Sequence, residues 1–171
     1  SSGGQEERGG ELYEAARKHF EEGDPAAALP AIDRSLASFD SPNSQLLRAH
    51  VLRALGRKAD AMRAYRATLE GAKRRFLAGE ARFEPTVAEA GKWMGVLGAA
   101  LAEIEITVAG SSPALRVLVN GVDERVERRE NGEAVISLWL DPGGVSIDAI
   151  DGSTRQSRSV SASAGSSHRA R

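Results

Sequence analysis

A six-residue segment that begins with a glycine occurs twice in the first half of the chain. The first copy runs from Gly23 to Ala28, and the second copy runs from Gly56 to Ala61, 33 residues later. Repetition at this period is typical of stacked helical hairpins, because one hairpin cannot bury its apolar face without a neighbour. The repeat therefore predicts an α-helical array whose outer surface is available to partners.

Apolar residues spaced three and four apart predict a helix on each side of both glycines. After Gly23, the pair Asp24-Pro25 is typical of a helix start, because aspartate caps free amides and proline lacks one. The second copy repeats the order helix, glycine turn, helix around Gly56, with Arg57-Lys58 in place of the aspartate-proline pair. We expect a further helix to begin at Thr86 and to reach about residue 102.

The periodicity changes from helical to alternating after Glu103. Ile104, Ile106 and Val108 alternate with polar residues, which predicts a strand with one buried face. Asn120-Gly121 and the later Asp-Gly pair at 151–152 are typical of tight hairpin turns. Short strands at this spacing predict a small antiparallel β-sandwich.

These patterns together predict an α+β fold with two domains. The polar, glycine-rich residues 1–10 are expected to form a flexible lead-in, followed by a helical domain of two repeats and a capping helix at 11–102. The β-sandwich is expected at 103–165, and a flexible tail at 166–171.

Composition excludes several classes of function. The 23 basic and 24 acidic residues give no concentrated positive charge, so we expect no nucleic-acid binding. The chain has no cysteine, and no run of about 18 apolar residues that could span a membrane. It begins Ser-Ser-Gly-Gly without methionine, which indicates a processed or excised chain, so any export signal or membrane anchor would lie upstream.

The duplicated segment resembles the tetratricopeptide repeat. That family has a small residue in its first helix, a glycine-aspartate turn, and an alanine five residues after the glycine. The second copy departs from the pattern at Arg57, where aspartate is common in the family. The matching residues are Ala16, Gly23, Asp24 and Ala28 in the first copy, and Ala49, Gly56 and Ala61 in the second.

The second half resembles the small β-domain called PEGA, which is common on bacterial envelope proteins. The likeness is carried by residues 115–121 and by residues 141–147, although the literal four-letter signature is absent. Proteins that join tetratricopeptide arrays to such a domain are usually lipoproteins or envelope-anchored proteins. The resemblance therefore implies a periplasmic or outer-membrane-associated location.

The tetratricopeptide resemblance also implies a peptide-binding groove lined by the first helix of each repeat. Arg17 and Arg53 would hold a carboxylate there, while Tyr13 and Leu46 would offer apolar contact. The lysine-asparagine set of the family's chaperone-binding members is missing. The groove residues implied by the resemblance are Tyr13, Arg17, Phe20, Asn43, Leu46, His50 and Arg53. The competing interpretation is that these are ordinary packed or solvated side chains.

Other chemistry-bearing residues favour structural roles. His50 and His168 have no spacing to carboxylates that indicates a zinc site, and the aspartates of the second half lie at turns or strand ends rather than in a calcium loop. Trp93 and Trp139 are expected in the two cores. No nucleophile turn or phosphate-binding glycine loop is present, so we expect neither a cofactor nor catalysis.

The function predicted from the sequence is therefore that of a non-catalytic scaffold or adaptor of the bacterial cell envelope that binds a protein or peptide partner. Two alternatives remain open. One is a structural module in which the β-domain contacts cell-wall polymer. The other is a regulatory fragment of a larger signalling protein.

Overall fold

A computed structural model describes residues 2–170 and has an α+β architecture in which the helices come first. Within residues 2–170, five α-helices occupy the chain up to Gly98, and two sheets follow. The chain divides into two compact units, one up to Leu97 and one from Gly98. The predicted order of a helical part followed by a strand-rich part is therefore confirmed.

The helices pair in sequence order, α1 with α2 and α3 with α4, and α2 also packs on α3. A single turn of 3-10 helix at Ala81–Phe83 precedes the last helix. None of the helices in the described part of the chain has the length and apolar character needed to cross a membrane. The helices are α1 (Ser2–Glu21), α2 (Pro25–Ser38), α3 (Pro42–Ala54), α4 (Lys58–Leu77) and α5 (Glu84–Gly98).

The two predicted glycine turns join the helices of each pair. Gly23 and Gly56 have φ angles of 80° and 76°, a left-handed conformation that a side chain would strain. The side chain of Asp24 accepts a hydrogen bond of 3.0 Å from the amide of Ala27, as expected for a helix cap. The repeated segment therefore forms the tight connection that its residues predict.

Small side chains allow the helices to approach one another closely. Ala16 of α1 and Ala28 of α2 are fully buried in a core that α3 completes with Leu47 and Val51. Between α3 and α4 the buried residues are Ala49, Leu52, Ala61, Met62 and Tyr65. The matching alanines of the two copies are thus all fully buried between helices.

The prediction of a flexible lead-in at residues 1–10 is wrong for residues 2–10, which form the first half of α1; residue 1 lies outside the described residues. Gly9 is buried there, and its carbonyl accepts a hydrogen bond of 2.7 Å from Ser35 Oγ of α2. A Cβ on Gly9 would lie 2.7 Å from Phe39 Cβ. Glycine, which the sequence analysis interpreted as a sign of flexibility, is instead used for close packing.

The strands form two four-stranded sheets, with the orders β4-β5-β1-β8 and β3-β2-β6-β7. All neighbouring strands are antiparallel except β1 and β8, which are parallel. The strands are β1 (Ala102–Val108), β2 (Arg116–Val119), β3 (Val122–Glu124), β4 (Glu127–Arg128), β5 (Ala134–Leu140), β6 (Gly143–Asp151), β7 (Thr154–Ala162) and β8 (Ser167–Ala170).

Alternate residues of both sheets meet in one apolar core. On β1 and β5 the core residues are Ile104, Ile106, Ile136 and Leu138, and β2 and β6 add residues of the same kind from the other sheet. Trp139 follows Leu138 directly, so it lies on the opposite face of β5 and is only half-buried. The expectation that Trp139 fills this core is therefore wrong.

Two predicted boundaries also need correction. α5 ends at Gly98 rather than near residue 102, because Ala102 already starts the alternation of β1 with a fully buried side chain. The predicted tail at 166–171 contains β8, in which Ala170 pairs with Ile106 and is buried; residue 171 lies outside the described residues. Because Ala170 and Ile106 are distant in sequence, their pairing leaves no local sequence pattern from which β8 could be predicted.

Two aspartates of β6, Asp148 within the strand and Asp151 at its end, have hydrogen-bond partners in the same unit. Asp151 accepts a hydrogen bond of 2.7 Å from the amide of Ser112 and a second bond from the Ser112 hydroxyl. These bonds hold the pKa of Asp151 below its usual range. Asp148 accepts hydrogen bonds from Ser157 and Arg155, which lower its pKa in the same way. These carboxylates therefore fix turns and neighbouring strands.

The packing of Gly9 can be tested by substitution. We expect Gly9→Ala to lower the free energy of unfolding by about 1–3 kcal/mol, since the added methyl group would overlap Phe39. Gly10→Ala is the matched control, because a Cβ at Gly10 meets nothing within 4 Å. That control should be neutral or stabilising by up to about 1 kcal/mol, as alanine favours the helix. Urea unfolding followed by circular dichroism at the helical band measures both, and equal effects would contradict the predicted contact.

Candidate functional site

Four helices bring one polar and aromatic group of side chains together in the helical unit. α3 contributes His50 and Arg53, which lie three residues apart and hence on one side of the helix. α5 contributes Glu89 and Trp93 at a spacing of four. We define the Tyr65 cluster as Phe20, His50, Arg53, Tyr65, Glu89 and Trp93.

The hydroxyl of Tyr65 is the centre of this cluster. Tyr65 is fully buried, and its oxygen lies 3.1 Å from Arg53 Nε and 2.5 Å from His50 Nδ1. A guanidinium can only donate, so the tyrosine oxygen accepts from Arg53 and its own proton is directed to His50 Nδ1. This arrangement assigns the remaining ring proton of His50 to Nε2, which lies 3.9 Å from Glu89 Oε1.

Aromatic contacts hold Arg53 on its other side. Its guanidinium carbon lies 3.4 Å from the centre of the Trp93 ring, a cation–π contact. Trp93 in turn donates from Nε1 to Glu89 Oε1 at 2.8 Å. Arg53 is thus fixed by Tyr65 at its Nε and by the face of Trp93, and no residue between 2 and 170 forms an ion pair with it.

Burial determines the protonation state of the cluster. It lowers the pKa of His50, and the positive charges of Arg53 and Lys92 lower this pKa further, while Glu89 acts in the opposite direction. Burial also raises the pKa of Tyr65, although its bond with Arg53 opposes this rise. At neutral pH a neutral histidine therefore faces a protonated tyrosine, as the hydrogen bonds require.

The structure brings three of the seven predicted groove residues together. Phe20 stacks on His50 with ring centres 6.5 Å apart and an angle of 19°, and Arg53 lies one helical turn from His50. Arg17 is exposed and forms ion pairs with Glu14 and Glu21, so its charge is already neutralised on its own helix. Of the two predicted carboxylate-binding arginines, only Arg53 remains available.

Two of the other predicted residues, Tyr13 and Asn43, lie apart from the Tyr65 cluster. Tyr13 and Asn43 line a separate hollow of about 260 Å³ beside Gly9 and Phe39. Asn43 is exposed and accepts a hydrogen bond of 2.7 Å from Thr86 Oγ1 of α5. Leu46 is half-buried on α3. Tyr13 and Asn43 therefore lie at a different place on the helical unit, whereas Leu46 lies four residues before His50 and hence on the same side of α3.

Sequence reasoning missed Tyr65, Glu89 and Trp93 as part of the site. Trp93 was expected in the core of the helical domain, and the helical spacing of α4 does not distinguish Tyr65 from its apolar neighbours. A buried tyrosine needs a partner for its hydroxyl, and this requirement was the available signal. The spacing of four between Glu89 and Trp93 was a second signal, because such pairs meet on a helix surface.

The Tyr65 cluster combines the Arg53 cation with aromatic rings and a single carboxylate, that of Glu89. The part of the chain between residues 2 and 170 contains no group of three or more histidine, cysteine or acidic side chains that could hold an ion. Arg53 offers a positioned cation beside the aromatic surfaces of Phe20 and Trp93. Comparison of the chain with protein-family models, curated proteins and solved structures found no match.

Removal of the Tyr65 hydroxyl should weaken the helical unit. In Tyr65→Phe, Arg53 Nε and His50 Nδ1 lose their common partner, so we expect the free energy of unfolding to fall by about 1–3 kcal/mol. Tyr13→Phe is the matched control, because the Tyr13 hydroxyl bonds no described residue, and its effect should stay within about 0.5 kcal/mol. Urea unfolding measures both variants, and a neutral Tyr65→Phe would contradict the central role of the hydroxyl.

His50 should make the stability of the helical unit depend on pH. Because its pKa is lower in the folded chain than the unfolded value of about 6.5, the unfolded state binds the proton more readily. The stabilisation is therefore complete above about pH 6.5 and is lost as the pH falls toward the folded pKa. We expect the stability difference between wild type and His50→Gln to narrow from pH 7.5 to pH 5.5. A constant difference in urea unfolding would contradict this linkage.

Proposed function

We propose that this chain is a non-catalytic scaffold that binds a protein or peptide partner through its helical unit. In this proposal the paired helices are tetratricopeptide-like hairpins, and the two sheets form a PEGA-like β-sandwich. The residues quoted for the two resemblances support these assignments. The same resemblances support a place in the bacterial cell envelope, with the partner protein at the same location.

The position of Arg53 is the observation that carries the proposal. A half-buried arginine ordinarily pairs with a carboxylate of its own chain, as Arg75 does with Glu80 at 2.5 Å. Arg53 instead rests on Trp93 and donates to the neutral hydroxyl of Tyr65. Its terminal nitrogens donate to no residue within 2–170, so an incoming acidic group would meet a fixed cation with free donors.

The surroundings of Arg53 indicate the chemistry of the partner. Phe20 and Trp93 are half-buried, and both rings lie near His50, which is one turn from Arg53 on α3. Aromatic residues and arginine are the residue types that contribute most to protein interfaces. A segment with an acidic side chain next to an apolar one therefore fits this surface best. The balanced charge of the whole chain supports a protein rather than a nucleic-acid partner.

The experiment uses a panel of fluorescein-labelled dodecapeptides, each with one aspartate or glutamate beside an aliphatic or aromatic residue. We expect Arg53→Ala to lower the affinity for the tightest-binding peptide by about tenfold or more, because a charge-assisted hydrogen bond is lost. Arg17→Ala, whose charge is already compensated, should change the affinity by less than about threefold. Fluorescence anisotropy measures each dissociation constant.

Two outcomes would contradict the proposed function. One is that no peptide of the panel binds and that envelope extract yields no partner. The other is that Arg53→Ala binds as tightly as wild type while Arg17→Ala is impaired. Circular dichroism of both variants shows whether a loss of binding comes from a loss of folding.

A further inference from the structure

Strand β7 forms a long open edge of the second sheet. It runs over nine residues and pairs on one side only, with β6. The pairing extends without a bulge from the pair Asp151 and Thr154 to the pair Gly143 and Ala162. The other edge strands within residues 2–170 are short, with three residues in β3, two in β4 and four in β8. Open edges of this length carry a row of free backbone donors and acceptors.

The turn before β7 determines which backbone groups are free. Gly152 and Ser153 form a two-residue hairpin loop, with Gly152 at a φ of 62°. In such a hairpin the closing pair, Asp151 and Thr154, is hydrogen-bonded, and bonded and non-bonded pairs then alternate along the ladder. The amides and carbonyls that face the open side are therefore those of Arg155, Ser157, Ser159 and Ser161.

The inward face of β7 presents a cation at the mouth of an apolar hollow. Arg158 and Gln156 lie opposite Ile147 and Ala149 of β6. Together with Ile106 and neighbouring residues they line a hollow of about 240 Å³. Arg158 is exposed, and no residue within 2–170 pairs with it, whereas Arg155 on the outward face is paired with Asp148.

The charge of β7 discriminates among possible occupants. The strand contains two arginines and no acidic residue. If a second copy of the chain paired through the same edge with the pair centred on residue 158, the two copies of Arg158 would face each other, and like charges across a strand pair are destabilising. An extended segment with acidic side chains would meet the opposite charge instead.

We infer that the open edge of β7 accepts an extended acidic segment of a partner protein as an added strand. Main-chain hydrogen bonds to Arg155, Ser157, Ser159 and Ser161 give the pairing, as in other cases of strand addition. A carboxylate of the segment lies beside Arg158, and an apolar side chain two residues away enters the hollow between the sheets. This site is separate from Arg53 and does not depend on the proposed function of the helices.

The test uses the full chain and an acetylated, amidated peptide of the sequence Gly-Thr-Glu-Thr-Val-Thr-Glu-Gly, in which glutamate and valine two residues apart share one face of the strand. A peptide with lysine in place of glutamate is the charge control. Amide hydrogen exchange measured by nuclear magnetic resonance follows β7. Without peptide, the four edge amides exchange rapidly; with the glutamate peptide, they should become protected, while the amides of the residues between them stay protected throughout.

Three variants make the result specific. Ser159→Pro removes an amide that faces the open edge and leaves the ladder with β6 intact, so it should abolish the protection. Arg158→Glu should lower the affinity for the glutamate peptide by about fivefold or more and raise the affinity for the lysine peptide. Arg169→Glu is the matched control, because the side chain of Arg169 on β8 is also exposed, and this variant should bind the peptide as wild type does.

Several outcomes would overturn the inference. These are equal binding of both peptides, unchanged binding by Ser159→Pro, and no binding of the glutamate peptide at all. Protection of the edge amides that rises with protein concentration alone would show that a second copy occupies the edge. Loss of peptide binding in Arg53→Ala but not in Arg158→Glu would assign the peptide to the helical groove instead.

Discussion

One buried hydroxyl group organises the helical unit. Tyr65 is fully enclosed, and a buried hydroxyl without a partner would cost more than the net gain of an ordinary hydrogen bond. Its oxygen accepts a hydrogen bond from Arg53 Nε, and its proton is donated to His50 Nδ1. Phe20 of α1 and Trp93 of α5 then pack on these two side chains. Residues from four helices are thus held in one arrangement by a single polar atom and its surroundings.

This arrangement also explains why the charge of Arg17 is paired with carboxylates while that of Arg53, within residues 2–170, is not. Both arginines lie on the first helix of a hairpin, and the sequence treats them as equivalent members of a groove. Arg17 lies within one turn of two glutamates on its own helix, so its charge is met locally. Arg53 has no carboxylate at such a spacing, and its position depends on a tyrosine of α4 and a tryptophan of α5. The availability of a charge is therefore decided by residues distant in sequence.

Local patterns predicted the parts of the fold that depend on local physics. The glycine turns, the Asp24 cap and the Asn120-Gly121 hairpin are all present, because each is set by the backbone freedom or hydrogen bonding of adjacent residues. The glycine-rich start was misinterpreted because the role of Gly9 comes from Ser35 and Phe39, more than 25 residues away. Composition could not reveal a glycine that is required for close approach. The cluster around Tyr65 escaped prediction for the same reason.

The parallel pairing of β8 with β1 has a practical consequence for expression of this unit. A version shortened to end before Ser167 would leave Glu103 to Ile106 without a neighbour on that side. It would also remove Ala170 from the apolar interior that both sheets share. Such a truncation would convert the internal strand β1 into an unpaired edge strand. We expect oligomers to form during purification as a result.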